Sequence, residues 1–166
     1  MNNSQGHDSR AIANIFVEKS QNVEYPHQLT IMSLLKYVYF AHGWTLGYTG
    51  EPLICHEVQA WKYGPVVPEV YHAFRGKGFI VRQKAIDPET KKPYEVNQMG
   101  LTDRQLSIIN GVFDKYSKLG AFELSYATHH PASPWSQYDG DFYSIIPDPV
   151  IEKYYKKAVN NIKNGG

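Results

Sequence analysis

Several long segments of the chain carry apolar residues at spacings of three and four, which is the period of an amphipathic helix. The clearest is residues 29–48, where Thr30 is placed as an N-cap and Gly50 ends the pattern, and we expect it to be the central helix. Residues 101–119 repeat this signature, with Thr102 and Gln105 as a capping box and Leu106 on the apolar face. Further helices are predicted at residues 9–21, over about ten residues that end before Gly76, and at 121–128. Residues 133–135 predict a short helical turn. A last helix is predicted from residue 148 onward, with Ile162 facing inward.

Two places in the chain are compatible with β-structure. Residues 58–61 lose the helical period and predict one short strand before a turn at Gly64 and Pro65. Residues 79–82 and 94–96 flank a charged, turn-forming segment, which predicts a β-hairpin or a wing-like excursion. The polar residues 1–8 lack any period, and we expect a frayed, flexible arm there. The predicted fold class is mainly α (α+β): a single helical domain over residues 9–166, with about six helices and a small β-hairpin.

The composition is that of one soluble globular domain. Of the 166 residues, 42% are hydrophobic and 20% are charged, and a chain of this length buries roughly 70% of its unfolded surface on folding. No stretch reaches the roughly 20 apolar residues that a membrane-spanning helix needs. Cys55 is the single cysteine and the N-terminus lacks the pattern of a secretion signal, so we expect a cytoplasmic protein.

The charge balance argues against a strong nucleic-acid binder. Lys and Arg number 17 against 16 for Asp and Glu, a net charge of +1. Residues 62–92 alone hold seven basic residues and three acids, which fits either a surface for an acidic partner or a solvated hairpin and loop. A DNA-binding regulator remains an alternative, with the helix before Gly76 reading bases and residues 79–96 as its wing. That helix offers few base-reading side chains beyond His72 and Arg75.

A metal site is one possible use of the seven histidines. His129 and His130, beside His42 and Glu69, could supply ligands and an acid. However, no His-Glu-x-x-His motif occurs, and adjacent histidines on a helix point about 100 degrees apart. We therefore expect no metal and no cofactor.

Nucleophilic catalysis and phosphate binding lack their sequence signatures as well. Cys55 and His56 are adjacent, so in an extended segment their side chains project to opposite sides. Neither Ser125 nor Ser133 lies in a Gly-x-Ser-x-Gly elbow. Residues 75–78, Arg-Gly-Lys-Gly, lack the phosphate-loop spacing and follow a helix instead of preceding one. The expected function is not enzymatic.

Three stretches have a more particular composition than packing requires. They are Tyr-Phe-Ala-His-Gly-Trp at residues 39–44, Ala-Trp-Lys-Tyr-Gly-Pro-Val-Val-Pro-Glu-Val-Tyr at 60–71, and Leu-Ser-Tyr-Ala-Thr-His-His-Pro-Ala-Ser-Pro-Trp at 124–135. Together they resemble the Panacea, or SocA-like, domain of bacterial and phage antitoxins, over residues 29–135. The third stretch departs from the family pattern, because a second histidine and Pro131 precede its Ser-Pro-Trp.

The resemblance implies a small cytoplasmic antitoxin that binds and neutralises a toxin encoded by a neighbouring gene. Some relatives are thought instead to deliver their toxin to a protease, a route in which residues 1–8 or 160–166 would serve as a flexible end. The resemblance implies no catalytic residue. The candidate toxin-binding residues are the side chains in or near these stretches that could be exposed: Trp61, Tyr63, His72, Arg75, His129 and Trp135.

The same stretches also have a purely structural interpretation. His42 could bond a backbone carbonyl, and Gly64 with Pro65 could form the sharp entry into the next helix. Trp61, Tyr63 and Trp135 are the better interface candidates, because an aromatic ring buries a large area and keeps a polar atom for the rim. Core packing is the alternative for these rings.

Overall fold

The computed structural model describes residues 6–22 and 28–165 and shows a mainly helical α+β fold, as predicted. Its helices are α1 (Ser9–Gln21), α2 (Ile31–Thr49), α3 (Pro68–Phe74), α4 (Asp103–Tyr116), α5 (Ala121–His129) and α6 (Asp148–Lys163), with a 3₁₀ turn at Trp135–Tyr138. The strands β1 (Val58–Trp61), β2 (Gly64–Val66) and β3 (Ile145–Ile146) form one antiparallel sheet in the order β2-β1-β3. No helix in these ranges is long and apolar enough to cross a membrane.

Helix α2 is the central helix, and its ends are the ones the sequence predicted. The Thr30 side chain accepts a hydrogen bond from the Ser33 N–H, and Gly50 closes the helix in the left-handed conformation with φ 74°. Between these caps almost every side chain from Leu34 to Gly47 is buried, so α2 is enclosed on all sides. Helices α1, α4 and α6 pack against it.

Two glycines bring α6 against α2. A Cβ built on Gly43 would lie 2.3 Å from the Tyr155 ring, and one built on Gly47 would lie 2.8 Å from the Tyr155 backbone. Distances this short are sterically forbidden, so these positions need glycine for the two helices to approach. The buried residues of α6 are Ile151, Tyr155 and Val159, whereas Ile162 is exposed, contrary to the prediction.

The predicted β-hairpin at residues 79–96 is wrong. This segment is an irregular loop whose only ladder contacts among the described residues are single bridges, Thr30 to Ile80 and Ile86 to Pro93. The buried side chain of Asn14 on α1 forms hydrogen bonds with the backbone of this loop. It accepts from the Ala85 N–H at 2.7 Å and donates to the Ala85 and Tyr94 carbonyls at 3.0 and 3.1 Å. The hairpin of the fold is instead β1 and β2.

The remaining helices differ from prediction in detail. Helix α4 has the predicted capping box of Thr102 and Gln105, but Leu106 is exposed. The helix before Gly76 is only the seven residues of α3. The flexible arm expected over residues 1–8 is not flexible at His7. This residue is buried, its N–H donates to the Leu53 carbonyl, and its carbonyl accepts from the Cys55 N–H. Residues 1–5 lie outside the described residues.

Candidate functional site

The segments 60–71 and 124–135, distant in sequence, meet at the β1–β2 hairpin. The indole N–H of Trp135 donates to the Trp61 carbonyl at 2.7 Å, and the His129 ring lies 4.1 Å from the Trp135 ring. A Cβ on Gly64, where φ is 126°, would lie 3.4 Å from the Thr128 hydroxyl, so β2 and α5 approach closely here. Residues 124–135 thus pack against the hairpin and support it.

Trp135 belongs to this support and not to the exposed surface. It is only 6% exposed, so the candidate contact residue Trp135 is a core residue, and His129 is partly buried against it. The sequence could not show this, because a tryptophan after Ser133-Pro134 suits a core and an interface equally. The two side chains position the hairpin and leave little area for a partner.

The hairpin and its surroundings carry aromatic rings that are half-buried or exposed. Trp61 is half-buried and lies 5.0 Å from the Tyr71 ring and 5.5 Å from the Tyr143 ring. Tyr63, at the tip, is 64% exposed, and the exposed His72 ring lies 5.5 Å from Tyr71. We call these five residues the hairpin surface.

Two members of the hairpin surface were not among the sequence candidates. Tyr71 lies in the second motif stretch and could have been selected for its place there. Tyr143 had no sequence signal. It follows the 3₁₀ turn in a loop, adopts φ 70°, and donates its backbone N–H to the Ala60 carbonyl at 2.6 Å, which places its ring beside Trp61. A positive φ is uncommon for a tyrosine and arises from tertiary contacts.

Arg75 lies one helical turn beyond Tyr71, exposed at the C-terminal end of α3. The basic region to which it belongs does not form one cationic face. Lys84 pairs with Glu18 at 3.2 Å, and Lys92 lines a surface hollow together with Asp8, Glu89 and Glu95. Lys84 and Lys92 are therefore accompanied by acidic side chains.

A buried lysine lies under the hairpin tip. Lys36 of α2 is 6% exposed, and its ammonium donates to the Tyr63 carbonyl at 3.4 Å. No carboxylate of the described residues pairs with it, and burial lowers the pKa of this lysine. Lys36 thus ties α2 to the hairpin at a cost in desolvation.

His42, in the first motif stretch, has a structural role. It is fully buried, its Nδ1 accepts the Ile54 N–H at 3.4 Å, and its Nε2 therefore donates to the Asp148 carboxylate at 2.8 Å. The first bond ties α2 to the segment before β1 and the second ties it to the start of α6, where the partner is a carboxylate instead of the expected backbone carbonyl. No group of three metal-ligating side chains occurs in residues 6–22 and 28–165.

Comparison with known proteins shows the family of this chain. Residues 34–136, which include all three motif stretches, match the family model described as Antitoxin SocA-like, Panacea domain. The chain belongs to the SocA-like, Panacea-domain antitoxin family. It is 31% identical to Antitoxin SocA of Caulobacter vibrioides (strain NA1000 / CB15N) over 134 residues, which are 79% of this chain and 70% of that protein. No solved structure gives a significant match.

Membership in the SocA-like family gives the chain an antitoxin role and, in general terms, a toxin as partner. The family match runs from within α2 to the start of the 3₁₀ turn, and it contains β1, β2 and α5. The matched range therefore includes the core histidine His42 and four of the five residues of the hairpin surface, whereas Tyr143 lies beyond it.

Proposed function

We propose that this antitoxin neutralises its toxin by direct binding, and that the hairpin surface is the contact. The observation that carries the proposal is the cluster of aromatic rings around Trp61, beside the exposed Tyr63 at the hairpin tip. The buried Trp135 supports it through its hydrogen bond to the Trp61 carbonyl. Aromatic residues fixed on a rigid support are typical of binding hot spots, because they bury a large area and lose few rotamers.

The proposed mechanism is occlusion of the toxin's active site or substrate channel. A stable complex of standard size would cover about 800 Å² on each partner, of which the hairpin surface would form the centre. Exposed Arg75, one helical turn beyond Tyr71, lies beside this centre and would contribute polar contacts at the rim. The proposal requires no catalytic step, and the expected partner is the product of a neighbouring gene, met in the cytoplasm.

The test is co-expression with the product of the adjacent reading frame, followed by growth measurement and co-purification. We expect rescue and a stable complex for the unmodified protein, and loss of both for Tyr63→Ala. Tyr126→Ala is the matched control, because Tyr126 is 63% exposed, has the same chemistry and lies on α5 outside the hairpin surface. Thermal unfolding of each variant verifies that it folds.

Rescue without co-purification would contradict direct binding and would indicate delivery of the toxin to a protease. Equal losses in Tyr63→Ala and Tyr126→Ala would contradict the assignment of the surface. Trp135→Ala is unsuitable for this test, because removing a buried tryptophan costs about 3–5 kcal/mol of stability.

A further inference from the structure

A second surface is formed by elements other than the hairpin. Helices α4 and α6 both pack on α2, and a groove of about 410 Å³ runs along α4. We call it the α4 groove. Its lining includes Trp44 and Tyr48 of α2, Arg104, Gly111 and Lys115 of α4, and Ile162 of α6. None of these residues belongs to the hairpin surface.

The groove has a rigid aromatic lining. Trp44 and Tyr48 are both half-buried with ring centroids 6.0 Å apart, and the Trp44 indole N–H donates to the Tyr116 hydroxyl at 3.0 Å. The exposed Ile162 of α6 lies at the side of the groove. Such a surface is suited to apolar side chains of a partner, because its rings are already fixed and half-covered.

The charged side chains that line the groove are both basic. The Arg104 guanidinium lies 5.9 Å from the Tyr48 ring centroid, and the Lys115 ammonium lies 5.5 Å from that of Trp44. Neither cation has an ion-pair partner among the described residues. Lys115 follows Arg104 by eleven positions on α4, a separation of about 16 Å along the helix. A complementary helix would carry two carboxylates three turns apart.

Gly111 lies between these cations, and no contact within the described part of the chain requires glycine there. A Cβ built there meets nothing within 4 Å, whereas at Gly43 and Gly47 it would collide with Tyr155. Glycine inside a helix costs about 1 kcal/mol relative to alanine. An unexplained glycine at the middle of a groove fits the close approach of another backbone.

We propose that the α4 groove binds an amphipathic, acidic helix of a partner protein. The apolar face of that helix would lie on Trp44 and Tyr48 and cross α4 at Gly111, while its carboxylates pair with Arg104 and Lys115. This binding does not depend on toxin contact at the hairpin surface. Nucleic acid is disfavoured because two cations and a net charge of +1 give little phosphate attraction.

The probe is a fluorescein-labelled helical peptide with leucines at spacings of three and four and two glutamates eleven positions apart. Fluorescence anisotropy measures its binding to the full chain. We expect Lys115→Glu to weaken binding at least about tenfold. The matched control is Lys118→Glu, which makes the same charge change just beyond α4 and outside the lining, and should alter binding by less than about twofold.

Two further variants separate a blocked groove from a damaged fold. Gly111→Leu should abolish peptide binding, because the leucine side chain would fill the groove. The Tm of this variant should stay close to that of the unmodified protein, because a Cβ at this position meets nothing within 4 Å. A peptide carrying lysines in place of the two glutamates should bind the double variant R104E/K115E better than it binds the unmodified protein. No saturation by the acidic peptide up to about 1 mM, equal losses in Lys115→Glu and Lys118→Glu, or displacement of the peptide by a thymidine oligonucleotide would each overturn the proposal.

Discussion

The same substitution, glycine to alanine in a helix, should have opposite effects at two positions of this antitoxin. At Gly43 of α2, the new Cβ would lie 2.3 Å from Cε2 and 2.7 Å from Cδ2 of the Tyr155 ring. That ring is buried between Tyr39 and Trp44, at centroid distances of 6.1 and 5.1 Å. At Gly111 of α4, the new Cβ would meet nothing within 4 Å.

The magnitude follows from these distances. Carbon atoms in contact prefer about 3.5–4.0 Å, so Gly43→Ala requires the Tyr155 ring to move by more than about 1 Å into an aromatic cluster. Overpacking of this kind costs about 1–3 kcal/mol, and we place this case at the upper end because the ring is enclosed. The gain of about 1 kcal/mol in helix propensity offsets part of that cost. The net effect is a loss of about 2 kcal/mol.

Gly111→Ala has no overpacking cost, so only the gain in helix propensity remains, which should raise the free energy of unfolding by about 0.5–1 kcal/mol. The two variants should therefore differ by about 3 kcal/mol in the free energy of unfolding. For a chain of this length that difference corresponds to about 6–12 °C in Tm. Urea unfolding followed by circular dichroism measures the free energy, and thermal melts measure Tm. If Gly43→Ala were as stable as Gly111→Ala, the close packing of α6 on α2 would be refuted.

Two further predictions concern buried polar groups. Lys36→Met should stabilise the protein at neutral pH by about 1 kcal/mol, because it removes a buried ammonium. Burial lowers the pKa of Lys36 in the folded state below its ordinary value of 10.5. Between these two pKa values the folded protein binds fewer protons than the unfolded chain, so its free energy of unfolding rises with pH. The stability advantage of Lys36→Met should therefore shrink as pH rises, which urea titrations of both proteins at each pH measure. Asn14→Ala should cost about 2–3 kcal/mol, because the Ala85 N–H and the Tyr94 carbonyl lose the hydrogen bonds that they make with the Asn14 side chain. Limited proteolysis should then cut residues 79–96 faster; an unchanged cleavage rate would contradict the anchoring role of Asn14.

The local sequence determined where α1, α2 and α4 begin and where α2 ends. The caps at Thr30, Gly50 and Thr102 satisfy backbone groups within a few residues of themselves, so no tertiary contact is needed to place them. The same is true of the Asp8 cap of α1, whose carboxylate accepts the Arg10 N–H. These signals were readable, and the helices they define were predicted correctly.

Strand pairing was not readable in the same way, because it depends on which backbone groups find partners far along the chain. Residues 79–82 and 94–96 flank a segment typical of a hairpin turn, but Ile80 pairs with Thr30 and the Tyr94 carbonyl accepts from the Asn14 side chain. The pairing that does form, between β1 and β2, spans a two-residue connection at Lys62 and Tyr63. Its third strand, β3, comes from more than eighty residues away.

For the hairpin surface, too, the sequence and the tertiary structure determined different things. The sequence by itself selected Trp61, Tyr63 and Trp135 as aromatic residues of interest and, through its three motif stretches, identified the antitoxin family. Whether each ring faces solvent or core is decided by contacts between distant elements, which bury Trp135 beneath β1 and bring Tyr143 beside Trp61. Local patterns fix the secondary structure because capping and periodicity act over a few residues. Exposure is a property of the packed molecule, so only the tertiary structure decided which aromatic residues are available to a partner.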